Sequence, residues 1–126
     1  MVRNLVIFVL ILFGIGYGIV YFYHSGELNR FLDKYPDAKW AAAIDYYTGQ
    51  AHFIFARWDS GIFRFQRVVE HYPDSGYGPS AQYYLAKMYD SKDDVSGAVR
   101  EYRRLLEKYP DSEFTEVARK RIEYLK

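Results

Sequence analysis

The chain has no cysteine among its 126 residues. That excludes disulfides, thiolate metal sites, a thiol nucleophile and a lipid-modified N-terminal cysteine. Histidine is scarce too. His24, His52 and His71 are scattered, with no paired carboxylate at ligand spacing, and no glycine-rich phosphate loop is present. Asp90 to Glu101 has the length of a calcium loop, but Lys92 at its third position and Val95 where glycine is required reject it. These absences predict no catalytic residue, no metal, no cofactor and no small-molecule substrate. Charge of one sign is also missing: beyond Arg3, 16 basic and 16 acidic residues alternate along the chain, so there is no basic face for nucleic acid.

One segment lacks charge altogether. The 19 residues from Leu5 to Tyr23 include 13 Leu, Ile, Val or Phe. As a helix they would extend about 28 Å, against roughly 30 Å of bilayer hydrocarbon. A transmembrane anchor over residues 1–24 is therefore expected, followed by a soluble domain over 25–126. The competing reading is a cleaved signal. Gly16-Tyr17-Gly18 offers small residues, but Ile19 to Tyr23 continues the apolar run behind them. Tyr17, Tyr21, Phe22 and Tyr23 crowd the C-terminal end of the span, as aromatic anchors at lipid headgroups do. Arg3 precedes the span, while Arg30, Lys34 and Lys39 follow it among Glu27, Asp33 and Asp37, so the basic bias is nearly balanced. A single uncleaved signal-anchor usually leaves its start in the cytoplasm, which gives an extracytoplasmic, periplasmic soluble domain as the expectation.

Proline is also sparse, and its placement is the strongest signal in the chain. Three of the four prolines lie in Tyr35-Pro36-Asp37, Tyr72-Pro73-Asp74 and Tyr109-Pro110-Asp111, each 37 residues after the last. A fixed period of this size indicates stacked supersecondary units. Leu28, Phe31 and Leu32 fall in register with Phe65, Val68 and Val69, and with Tyr102, Leu105 and Leu106. Their i, i+3, i+4 spacing is the buried stripe of an amphipathic helix. Proline ends each such helix near the Tyr, because it lacks an amide hydrogen and pushes its predecessor out of the helical region. Gly78-Pro79 then suggests a helix starting at Pro79. The spacing predicts a first helix over about 79–90, a turn at Ser91 to Asp94, and a second helix over 95–108. Read along the whole chain, the pattern gives an all-α solenoid: half a repeat, two full repeats, half a repeat.

Within Ser80 to Pro110, Leu85, Ala86, Tyr89, Ala98, Tyr102, Leu105 and Pro110 sit at the spacing of packing positions in the tetratricopeptide repeat family, which the chain resembles. In the first copy Gly49, Phe65, Val68 and Pro73 fit, whereas His52 and Gly61 stand where an aromatic and an alanine are usual. The family's usual period is 34. The longer period and the Tyr-Pro-Asp-Ser ending look like a subgroup of bacterial envelope proteins that includes the outer-membrane assembly lipoprotein and the Tol-Pal-associated coordinator. The missing lipid-attachment cysteine departs from its lipoprotein members.

The resemblance implies a concave surface built from first helices, lined here by Ala43, Tyr46, Gln50 and Phe53, by Ser80, Tyr83, Lys87 and Asp90, and by Lys120 and Tyr124. Such a surface suits an extended or helical protein segment, and tyrosine serves binding well because it gives large area at small rotamer cost. The bland alternative is that these tyrosines only pack between helices. Two further candidates come from the residues themselves. Gly14 and Gly18 form a small-xxx-small face where another membrane helix could approach, although glycine is also simply common in such helices. Phe53, Ile54, Phe55 and Trp58 make one turn unusually apolar, either as a contact for a partner or the lipid surface, or packed under the preceding helical segment. The reading that joins these features is a non-catalytic, membrane-anchored scaffold for protein–protein interaction in a bacterial envelope complex. The alternative is a small structural accessory subunit of a large respiratory or secretion complex, held mainly by its span.

Overall fold

The computed structural model describes residues 1–36 and 39–126; Asp37, the last residue of the first Tyr-Pro-Asp copy, lies outside them. Among the described residues there are seven helices and no strand: α1 (Val2–His24), α2 (Glu27–Asp33), α3 (Lys39–Ile54), α4 (Trp58–His71), α5 (Gly78–Ser91), α6 (Val95–Lys108) and α7 (Thr115–Leu125). The chain divides into two compact units, Met1–Pro36 and Asp37–Lys126.

In the first unit, α1 carries no buried residue and is long and apolar enough to cross a membrane. It ends where Ser25 donates its backbone N–H to the Tyr21 carbonyl at 2.8 Å. Gly26 follows in the left-handed region, φ 81°, a conformation that favours glycine, and starts α2. Phe22 and Phe31 meet edge to face at 6.4 Å, and Glu27 pairs with Arg30 at 2.6 Å. Leu28 and Leu32 are the buried residues of α2.

The second unit stacks α3 to α7 so that each helix packs on its neighbours in sequence. Of the stripe residues that the spacing predicts, Phe31 of α2 is exposed and Leu106 of α6 half-buried, whereas Phe65, Val68 and Val69 in α4 and Tyr102 and Leu105 in α6 are buried. They build two cores. Ile62, Phe65, Val68, Val69, Ala81, Leu85 and Met88 form the first; Ala86, Ala98, Tyr102, Leu105, Ala118 and Ile122 form the second. Helix α5 is the wall between them, giving Ala81, Leu85 and Met88 to one side and Ala86 to the other. Full burial of a side chain such as Phe65 is worth about 1.5–3 kcal/mol over exposure. The unusual Gly61 has a packing reason: a Cβ there would collide with the Met88 side chain, which occupies the space an alanine methyl would take.

The ends of the helices repeat as well. Both α3 and α5 finish in a left-handed residue, Ala56 (φ 54°) and Asp93 (φ 63°), 37 positions apart. The closing hydrogen bonds match: Arg57 N–H to His52 carbonyl (2.9 Å) and Ala56 N–H to Phe53 carbonyl (3.1 Å) in one, Asp94 to Tyr89 (2.9 Å) and Asp93 to Asp90 (3.0 Å) in the other. This is the Schellman arrangement, which satisfies carbonyls left open at a helix C-terminus. Asp94 then caps α6, its carboxylate accepting from the Gly97 N–H at 2.9 Å. The Tyr-Pro-Asp-Ser segments end α4 and α6 in nearly the same way, with Tyr72 at φ −132°, ψ 47° and Tyr109 at φ −131°, ψ 58°. In both, the serine N–H returns to the tyrosine carbonyl at 3.1 Å.

Between the paired helices lie two buried polar clusters. Asp45 on α3 is fully buried and accepts from Arg64 at 2.9 Å and Arg67 at 3.0 Å, both on α4. At the same positions one period later stand Gln82 on α5 and Glu101 and Arg104 on α6. Gln82 donates to the Glu101 backbone carbonyl at 3.0 Å and to its carboxylate at 2.9 Å, and that carboxylate also takes Arg100 and Arg104 at 3.0 Å. The acidic partner has moved from the first helix to the second.

Candidate functional site

Helices α3, α5 and α7 present one continuous run of aromatic and charged side chains, and each turn of α5 adds a member. At the near end the Tyr46 and Ser80 hydroxyls share a 2.7 Å hydrogen bond, and Gln50 donates to the Tyr46 hydroxyl at 3.0 Å. Further along, Phe53 meets Tyr84 edge to face at 5.5 Å, and Tyr84 stacks on the core residue Phe65 at 5.7 Å. Above these rings sits Lys87. Its ammonium lies 5.3 Å from the Phe53 ring, 5.8 Å from Tyr83 and 6.0 Å from Tyr84, and it is in no ion pair among the described residues. A cation over aromatic faces is held by their quadrupoles while remaining able to meet an anion.

At the far end Asp90 receives both arms of Arg121, at 2.6 and 2.9 Å, and the Arg121 guanidinium lies 4.7 Å over the Tyr124 ring. Tyr83 stacks on Phe114 at 4.7 Å and 15°. Tyr83, Lys87, Asp90, Ser91, Tyr102, Val117 and Arg121 line an open cavity of about 360 Å³. Burial, with Asp90 as a further cause, pushes the phenols of Tyr102 and Tyr83 up from their ordinary value. Both stay protonated at neutral pH and can donate hydrogen bonds.

The structure brings Tyr46, Gln50 and Ser80 into one hydrogen-bonded group, and Phe53, Tyr83 and Lys87 into another. Ala43 is half-buried on α3. Lys120 points elsewhere: it is exposed, with its ammonium 3.7 Å from Glu116 on its own helix. Arg121, one position on, reaches Asp90. Sequence spacing missed Arg121, Val117, Tyr84 and Phe114. An acid at 90 opposite a helix rich in Arg and Lys was the available signal, but the period alone assigns Lys120 to that side.

The other two candidates separate. Cβ atoms built at Gly14 and Gly18 would meet nothing within 4 Å. Of the apolar turn, Phe53 and Trp58 pack against the first core and meet each other at 6.0 Å, whereas Ile54 and Phe55 are 74% and 75% exposed. Among the described residues no cluster of His, Asp or Glu could hold a metal ion.

Comparison with known families bears on one part of this array. Residues 80–112 match the tetratricopeptide repeat. The matched segment, about a quarter of the chain, holds most of α5, all of α6 and the third Tyr-Pro-Asp, so the likeness covers the helix between the two cores and the one that follows it. Leu85, Ala86, Ala98, Tyr102 and Leu105, at the packing positions of that repeat, are all buried here. Tetratricopeptide repeats generally mediate protein–protein interaction and are typically non-catalytic. No curated protein matches the chain.

Proposed function

We propose that this protein is a membrane-anchored adaptor whose face on α3, α5 and α7 receives a segment of another protein, within a complex of the bacterial cell envelope. The observation that carries the reading is Lys87, a cation poised over three aromatic rings and in no ion pair among the described residues. A segment that lays apolar side chains on Tyr46 and Tyr83 and brings an acidic group to Lys87 would use both features at once. The aromatic rings are already fixed by stacking and hydrogen bonds, so little side-chain freedom is lost on binding. Helix α1 supplies the anchor, and a signal-anchor orientation puts the repeats outside the cytoplasm. The test is affinity purification of the full-length protein from membranes, followed by mass spectrometry of what accompanies it. Tyr83→Ala with Lys87→Ala is expected to release the partner while leaving the protein in the membrane. Retention of every partner by that double variant removes the groove from consideration.

A second reading follows from α1 itself. No residue of that helix is buried, and both Gly14 and Gly18 are open to close approach. An accessory subunit held in a larger membrane complex by helix packing would use that surface. Gly14→Leu with Gly18→Leu would then release the partner in mild detergent, whereas the groove variant would not.

A further inference from the structure

The two A-to-B corners of the array are built alike and dressed differently. Each ends a helix in the same pair of hydrogen bonds around a left-handed residue. In the second repeat the corner reads Ser91-Lys92-Asp93-Asp94; in the first it reads Ile54-Phe55-Ala56-Arg57. The second corner shows that the backbone turn is satisfied with polar and charged side chains, one of them Lys92, whose ammonium pairs with Asp59 at 2.6 Å. Nothing in the turn geometry asks for Ile54 and Phe55, and three-quarters of each is in solvent. Left-handed Ala56 is itself unfavourable relative to glycine, by about 1 kcal/mol. The tip is also braced. Its flanking residues Phe53 and Trp58 meet edge to face at 6.0 Å and pack, half-buried, against the first core, while Ile54 and Phe55 between them stay exposed.

We propose that this corner dips into the bilayer surface, with Ile54 and Phe55 among the upper acyl chains and Arg57 at an anionic headgroup. The inference rests on the reading of α1 as a membrane anchor. A bilayer is the occupant that chemistry favours. Position for position, Arg57 stands where the sister corner has Asp94 and Phe55 where it has Lys92, while the nearby acid Asp59 is paired with Lys92 at 2.6 Å. Two exposed hydrophobes beside a base are the combination that serves interfacial binding to anionic lipid. It is also within reach. The chain from His24 to Lys39 has a contour of up to about 40 Å even with α2 helical, and the 16 residues of α3 run about 24 Å. Tethering makes the contact intramolecular, so a weak two-residue insertion suffices where a free domain would need more.

The absence of cysteine makes the test clean. Full-length protein is reconstituted into vesicles of phosphatidylcholine with phosphatidylglycerol, carrying one environment-sensitive fluorophore on a single introduced thiol. Three positions are compared: Phe55→Cys at the corner, Glu123→Cys on the exposed side of α7, and Leu10→Cys in the span. Nitroxide-bearing lipid is expected to quench the labels at 10 and 55 and to spare the one at 123. Because the same fluorophore is carried at 55 and 123, insertion driven by the dye itself would show at 123 as well and overturn the proposal. Adding Ile54→Ser to the Phe55→Cys chain should lower the docked-to-free ratio by about tenfold, the effect of withdrawing one large aliphatic side chain from an apolar site. Quenching at 10 with none at 55 overturns the proposal and leaves the anchor standing. No quenching at 10 overturns the anchor and the proposal with it. A label at 55 that is shielded from water yet untouched by lipid nitroxide marks a contact with a second copy of the chain instead, and also overturns the proposal.

Discussion

The hydroxyl of Tyr109 donates to the backbone carbonyl of Pro73 at 2.8 Å, so the tyrosine of one Tyr-Pro-Asp segment is fastened to the proline of the previous one. The motif thus does two jobs: the proline stops the helix, and the tyrosine joins consecutive repeats. Tyr109→Phe removes the donor and leaves the carbonyl without it. The expected loss is about 1 kcal/mol in urea unfolding. Gly78→Ala should cost more, because its Cβ would press on that same carbonyl and lie 2.7 Å from the Tyr109 hydroxyl. A Gly78→Ala protein as stable as the parent would contradict this geometry.

Asp45 is fully buried between two arginines. Asp45→Ala leaves both guanidiniums without this carboxylate, and breaking a buried pair from one side costs about 3–5 kcal/mol. The measurement is the denaturant midpoint of the full-length protein in detergent. A shift no larger than that of an exposed-pair control such as Glu116→Ala would show the cluster to be energetically idle.

Ala56 holds a left-handed conformation that glycine adopts without penalty. Ala56→Gly should raise stability by about 0.5–1 kcal/mol, visible as a higher thermal midpoint. Asp93→Gly, at the equivalent site, should gain less, since aspartate tolerates this region better. A loss of stability for Ala56→Gly would count against the corner as described.

Alkaline pH should unfold the repeats. Burial is the largest cause raising the phenols of Tyr102, Tyr83 and Tyr109 above their usual 10.0, and neighbouring groups such as Asp90 and Asp74 add to it. Groups whose folded pKa is raised stabilise the fold fully below the unfolded value. That stability is lost as pH climbs past about 10, because the unfolded chain ionises first. Unfolding free energy should therefore fall above pH 10, by at most about 1.4 kcal/mol per pH unit for each such phenol. Tyr102→Phe should flatten that fall by one proton's share, and an unchanged slope would show Tyr102 to be uninvolved.

Much of this fold could be read from spacing, because helical period and proline are local signals. The second repeat shows it best: the expected 95–108 helix is α6 residue for residue, and the expected start at Pro79 differs from α5 by one position. The left-handed turn at Ala56 was not legible, since neither alanine nor its neighbours signal positive φ. The tyrosine-to-proline bond between repeats was hidden for another reason: it joins residues 36 apart, a contact that the period suggests but does not specify. Lys120 and Arg121 show the same limit on the candidate face. Adjacent residues of like charge differ only in direction, and the ion pair with Asp90 selects between them.

An array of like units must sort its helices during folding, because each first helix meets more than one plausible second helix. The two buried polar clusters act as labels for that choice. If α3 took α6 in place of α4, Asp45 would face Glu101 and the two carboxylates would compete for Arg104, the counterpart of Arg67. If α5 took α4, Gln82 would offer a neutral amide to Arg64 and Arg67. Either exchange leaves the counts of acid and base unmatched in a site with little water, where like charges and unpaired guanidiniums are costly. The acid that changes sides between repeats thus makes the two hairpins non-interchangeable, although their backbones repeat.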